Sequence, residues 1–291
     1  MNLKKSYLQG LHKLYNLRSP DGFVYIKGMD FNGTEKLSPK SDVFIKDRKI
    51  HINDFYMCDR PVTRAEFYNV FKNVTCGKEK YVAIDGISWY EAISYCNKLS
   101  AMEGLQLCYY VPTLPDNFDW EHVEYLGLSN YAKDNDSIDV VFLKNNNGYR
   151  LPTEIEWEYA VRGGIFLDNY LYSGSDVIDD VYNSKYNIKE KLPNSLGIYD
   201  MSCCVFEWCW DILGSNIYPD TPDTGPIVNP SEFSNRVARG GCYYDCAEVN
   251  CRYSAYPGAN DIPIGFRVVR SVHNVTELDI IPRLDEYLGE F

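Results

Sequence analysis

Apolar positions recur at helical spacing in three stretches, and the same device opens each one. Thr63 stands three residues before Glu66, ahead of Phe67, Val70 and Phe71. Ser88 stands three before Glu91, ahead of Ile93, Cys96 and Leu99. Thr153 stands three before Glu156, directly after Leu151 and Pro152. In such a pair the hydroxyl accepts an orphan backbone N–H while the glutamate reaches back to the cap, so the spacing predicts three helix starts. The second helix is expected to end near Glu103 and Gly104, the third at Gly163 and Gly164. Short apolar runs predict strands at Phe23–Ile26, Phe44–Ile45 and Ile50–Phe55, and later at Val205–Trp210, Arg236–Arg239 and Gly265–Val269. Long stretches rich in Asn, Asp, Gly, Pro and Tyr, such as 211–235 and 242–263, separate the later strands. At the N-terminus Leu3, Tyr7, Leu11, Leu14 and Tyr15 alternate with lysines, the pattern of an amphipathic segment and not of a signal peptide.

No repeat and no Pro-rich linker divides the chain. The pattern therefore predicts an N-terminal amphipathic segment followed by one α+β domain. No apolar run approaches the roughly 20 residues that cross a bilayer.

Charge narrows the partners. The 291 residues carry a formal charge of -12, and no lysine occurs after Lys191. Nucleic acid binding needs clustered cations, so the balance excludes it. Twenty-five tyrosines supply large amphipathic contact area at low entropic cost, which suits recognition surfaces. Ten cysteines form no C-x-x-C pair and stand far in sequence from the four histidines, which argues against a structural zinc site. Cys96 shares an apolar helical face with Ile93 and Leu99 and reads as a small buried hydrophobe.

Four blocks carry a family resemblance. The segment GYRLPTEIEWEYAVRGG at 148–164 resembles a signature of the formylglycine-generating-enzyme, or sulfatase-modifying-factor, family. Residues 56–71, with Pro61, Val62 and Thr63, resemble its early strand-to-helix passage. The segment NSLGIYDMSCCVFEW at 194–208 resembles its central block, and RVARGG at 236–241 with IGFR at 264–267 its closing strands. The resemblance spans residues 21–271, with the amphipathic segment over 1–20 before it and a tail over 272–291 after it, and implies an α+β C-type lectin fold of the formylglycine-generating-enzyme type: two main helices around a small antiparallel sheet, with long ordered loops. Trp157, Trp208, Trp210 and Phe266 read as core, and the Gly240–Gly241 pair as a tight turn and not a phosphate cradle.

Two functions follow from the resemblance. In the family's enzymes a pair of cysteines between the Gly-Gly pair and the final Gly-Phe-Arg binds copper and oxidises a substrate cysteine to formylglycine. Soft Cu(I) prefers thiolates, and Cys246 and Cys251 lie in that interval. However, Cys251 followed by Arg252 resembles a downstream step common in members without oxidase activity, and this leaves Cys246 without a partner thiol. A histidine-based metal centre is excluded, because no histidine lies between His122 and His273.

The second function is display. The segment 242–263 resembles the variable region of proteins diversified by retroelements, in which template adenines are replaced and Asn codons yield a restricted residue set. Glu248 alone falls outside that set. Cys242 stands where the family usually has Ser and Cys204 where it has Asn, both reachable by adenine replacement; Cys203 replaces a usual Gly, which is not. The expectation is a non-catalytic cell-surface protein with a variable region over about 203–263. Its ligand-facing residues are Cys203, Cys204, Cys242, Tyr243, Tyr244, Asp245, Cys246, Asn250, Tyr253, Ser254, Tyr256, Gly258, Asn260 and Asp261. Such a patch is aromatic and weakly acidic and favours a protein or peptide partner. Membrane attachment would come from a lipid anchor on a longer precursor, and no cofactor is required. The bland alternative is that the tyrosines cover a loop-rich core.

Calcium is the remaining expectation. In the family's enzymes the positions of Asp200 and Glu207 help to bind Ca²⁺, and both carboxylates are present here. The competing reading makes Glu207 a buried carboxylate held by hydrogen bonds.

Overall fold

The computed structural model describes residues 19–33, 37, 40–72, 81–124, 127–134, 138–183, 186–213, 217–221, 234–241 and 247–272. The amphipathic N-terminal segment and the C-terminal tail beyond 272 lie outside these residues.

All three capping boxes form. Thr63 caps α1 (Arg64–Phe71), Ser88 caps α2 (Trp89–Met102), and the third helix of this kind, Glu154–Val161, is capped by Thr153; in each the hydroxyl and the glutamate exchange bonds with the backbone. Helix α2 is buried on almost every face, Cys96 included, and ends at Glu103. One further eight-residue helix, α3 (Gly127–Asp134), which no capping box announces, packs on α2. Glu154–Val161 is accordingly α4, and a single turn, α5 (Ile178–Val181), follows it.

The strands gather in two four-stranded sheets. The first joins β1 (Phe23–Ile26), β4 (Phe55–Cys58), β12 (Val269–Ser271) and β7 (Tyr149–Arg150) in the order β1-β4-β12-β7, all antiparallel. The second runs β10-β9-β8-β11, from β8 (Phe206–Ile212), β9 (Arg236–Gly240), β10 (Arg252–Ala255) and β11 (Ile264–Gly265); its β11–β8 pair is parallel. Two-residue ribbons pair β2 (Asp30–Phe31) with β3 (Ile50–His51), and β5 (Tyr109–Tyr110) with β6 (Val141–Phe142).

Several strand expectations are corrected. Phe44–Ile45 forms no strand; Phe44 is instead buried edge-on against Phe31. The run 50–55 is broken by Asn53 and Asp54, and Asp54 accepts bonds from the Gly28 N–H and the Tyr25 hydroxyl, so β3 ends and β4 begins on either side. The run 265–269 splits because Phe266 and Arg267 turn into the interior between β11 and β12.

The main core lies where α1, α2 and β8 meet, around Trp89, Trp208 and Phe266, with Phe67 and Tyr95 stacked at 5.7 Å. A second cluster packs α4 against the first sheet around Trp157, Met57 and Val269. Gly240 adopts φ +86°, and a Cβ there would meet the Met201 carbonyl and the Trp157 ring, so the Gly-Gly pair serves a tight turn.

Candidate functional site

The last long loop is framed before it is displayed. Glu154, Glu158 and Arg162 recur at i, i+4 and i+8 along one face of α4, all buried. Arg239 of β9 bonds Glu154 at 3.1 Å and Glu158 at 2.7 Å, and its Nη2 also donates to the Val249 carbonyl at 3.0 Å. Arg252 of β10 grips Glu154 through two bonds of 2.6 and 2.8 Å, while the Arg162 Nε donates to Glu158 at 3.0 Å. A buried carboxylate is tolerated only when it is paired and its lone pairs are satisfied, so these groups fix the relative positions of α4, β9 and the returning chain.

Backbone bonds complete the frame. Val249 donates to Leu171, Cys251 to Glu248, Trp89 to the Pro257 carbonyl, and Phe206 to the Pro263 carbonyl, each at 2.9–3.1 Å. Cys251 is in a disulfide, whereas Cys58, Cys96, Cys108, Cys203, Cys204 and Cys209 are free buried thiols.

On that frame the expected ligand-facing residues divide. Tyr256, at 40% exposure, with Asn260 and Asp261, faces solvent. Asn250, Ser254 and Gly258 are half-buried, and the Tyr256 ring lies across Gly258. Tyr253 is half-buried too: strand alternation puts it on the same face as buried Ala255, and its ring stacks on Phe206 at 4.8 Å. Cys203 and Cys204 are corrected. Both are buried, in a small cluster with Ala83 and Val205, and present nothing to a ligand at the surface. Cys242, Tyr243, Tyr244, Asp245 and Cys246 lie outside the described residues.

The central block is a second polar centre. Glu207 is fully buried, and both of its oxygens are engaged: Arg267 donates to them at 2.6 Å twice, and the Trp157 indole N–H at 2.7 Å. A carboxylate neutralised by a guanidinium in this way is a poor calcium ligand, since a divalent ion would sit beside the fixed positive charge. Asp200 has no such counter-ion bond; it accepts the Lys189 backbone N–H at 2.8 Å, and burial pushes its carboxyl up to about 6. Two thiols stand beside it: the Cys203 sulfur lies 3.8 Å from its carboxylate, and the Cys204 sulfur 3.2 Å from that of Cys203. The donor set thus departs from the all-oxygen shell that a hard cation demands. The Cys204 thiol is held protonated by its bond with Cys203 and by burial.

Asp211, behind the frame, makes a pH prediction. Burial pushes its carboxyl up to about 7, the nearby Glu154 adds to the rise, and the Glu154 N–H at 2.6 Å opposes it. The folded state therefore holds this proton more tightly than the unfolded chain, so stability from this group is complete below about pH 4 and is lost as the pH rises through about 7. Asp211→Asn should gain about 2–4 kcal/mol relative to wild type between about pH 4 and pH 8 in urea unfolding. A difference that stays constant over that range would contradict the assignment.

Comparison with known proteins places this geometry. The sulfatase-modifying factor enzyme 1-like domain model matches residues 13–272. The chain belongs to that family. Its similarity to the "Chaperone protein LppX" of Paenibacillus barcinonensis is 31% identity over 88% of this chain and 91% of that protein. A formylglycine-generating enzyme of Streptomyces coelicolor is 30% identical over 41% of this chain, which spans about half (46%) of that enzyme's length. Among solved structures, Treponema denticola variable protein 1 superposes with a TM-score of 0.67 at 24% identity, covering 85% of this chain and 95% of that one. The fold is therefore the C-type lectin fold of the formylglycine-generating-enzyme type, as the four sequence blocks imply. Among the described residues no helix is long and apolar enough to cross a membrane.

Sequence reasoning missed the ion-pair frame. Its only local signal is the Glu154–Glu158 pair at i, i+4 inside an otherwise apolar helix; the partners Arg239 and Arg252 lie 85 and 98 residues away from Glu154.

Proposed function

We propose that this family member is a non-catalytic binding protein that displays a diversified recognition surface on its C-type lectin scaffold, for protein or peptide targets at the cell surface. The observation that carries the reading is the buried frame of Glu154, Glu158, Arg239 and Arg252, which holds Val249 and Arg252 at the entry to a stretch whose Tyr256, Asn260 and Asp261 face solvent. Side chains can vary without unfolding the molecule only where other contacts hold the backbone, and here the contacts belong to residues other than those displayed. An exposed tyrosine with flanking amide and carboxylate groups supplies a rigid aromatic anchor and adaptable hydrogen bonds. The alternative is a copper-dependent formylglycine-generating oxidase, which needs a pair of reduced thiolates to hold Cu(I).

Replacing Tyr256, Asn260 and Asp261 together with Ser should cost less than about 0.5 kcal/mol per site. It should also change the set of peptides captured from a displayed random library. Unfolding of the triple variant at markedly lower temperature would show that these residues hold the loop, and the reading would fail. Formylglycine produced from a cysteine peptide in the presence of copper would favour the oxidase. Diversification itself predicts a near-copy of the codons for 242–263 in the adjoining genome, with adenines at the differing positions.

A further inference from the structure

Asp200, Cys203 and Cys204 converge on one buried point, their ligand atoms all within 4.8 Å of one another. The two thiols touch at 3.2 Å, the Asp200 carboxylate lies 3.8 Å from the Cys203 sulfur, and the Asn187 carbonyl lies 3.7 Å from the Cys204 sulfur. Asp200 and Cys204 both adopt left-handed backbone, at φ 63° and 70°, a conformation that costs energy for side chains of these types. The wall is apolar: Ala83 and Val205 enclose the sulfurs, and half-buried Tyr182, Tyr186 and Ile188 pack against them.

From this geometry we infer that the turn is a binding site for one thiophilic divalent cation of the zinc type, held by both sulfurs, the Asp200 carboxylate and the Asn187 carbonyl. Two thiolates with two oxygens suit a borderline-soft ion that prefers four tetrahedral ligands, whereas calcium requires six or more oxygens. Zinc–sulfur bonds of about 2.3 Å at a tetrahedral angle set the sulfurs about 3.7 Å apart, so the observed pair opens by about 0.5 Å. That adjustment is within the reach of two side-chain rotations. Binding releases the two thiol protons to solvent and changes no oxidation state. The site is separate from the displayed loop, and it takes the place in the central block where the family resemblance led us to expect a hard cation.

The test uses the whole reduced protein titrated with zinc against a chromophoric chelator. One equivalent should bind to wild type. Cys204→Asn places at φ 70° a residue that left-handed backbone tolerates, and Cys203→Gly adds no bulk to the buried turn, so this double variant should fold, and it should bind zinc more than about 100-fold more weakly. X-ray absorption at the zinc edge of the wild-type complex should count two sulfurs at about 2.3 Å and two lighter ligands. No zinc uptake by wild type, undiminished affinity in the double variant, or a shell of no sulfurs or four would overturn the assignment.

Discussion

Replacing Arg239 with methionine is expected to lower the unfolding free energy by about 3–5 kcal/mol, because removing one partner leaves carboxylate charge in the interior without its full compensation. Glu154 and Glu158 would keep Arg252 and Arg162 respectively, but each would lose a bond from the guanidinium that joins them. The Val249 carbonyl would lose its donor as well, so the damage should extend to the chain leading into β10. Urea unfolding measures the loss. Adding Glu158→Gln to the Arg239 variant should return part of it, since a neutral amide costs less to bury than an unpaired charge. A single variant within about 1 kcal/mol of wild type would mean that the network does not hold the frame.

Arg267→Met should have an effect of similar size at the other buried centre. Arg267 supplies two of the three bonds to Glu207 and also donates to the carbonyls of Cys58 and Tyr199, tying the approach to β12 to the central block. Without it, Glu207 retains the Trp157 indole alone. The expected loss is again about 3–5 kcal/mol. Arg267→Lys should recover little, because a point-like ammonium cannot reproduce the planar pair of bonds. Combining Arg267→Met with Glu207→Gln should recover more than the lysine does. If the lysine variant instead proves as stable as wild type, charge alone matters and the geometric argument is wrong.

The parts of the molecule legible in the sequence are those set by neighbours in the chain. Thr63, Ser88 and Thr153 announce their helices because a capping box is complete within four residues. The 23–26 strand reads correctly because four consecutive positions suffice to define it. Two-residue strands such as β5, β6 and β7 carry no period to detect, and they exist only because partners 31 to 121 positions away supply their bonds. Asn53 and Asp54 interrupt an apolar run for the same reason: the bonds from Tyr25 and Gly28 to Asp54 are set by tertiary structure.

The same division explains the site. Tyr256, Asn260 and Asp261 lie at the surface, as their place in a polar loop suggests. Tyr253 is half-buried against Phe206 because its register on β9, opposite Ala238, decides which face it takes. Cys203 and Cys204 look like surface replacements when read against family habit, yet the turn they form packs beneath Tyr182 and Tyr186. Their convergence with Asp200 escapes a search for C-x-x-C spacing, because adjacent cysteines on a left-handed turn reach one point by a different route.

Amide hydrogen exchange of the unliganded protein over 247–264 is the most direct measurement of whether this loop is held by its frame. The N–H groups of Val249, Cys251, Ala259 and Ile264 each bond a backbone carbonyl. They should exchange nearly as slowly as those of β8 and β9, both in wild type and in the triple Ser variant at 256, 260 and 261. Rapid exchange of these four amides while β8 and β9 stay protected would contradict the account.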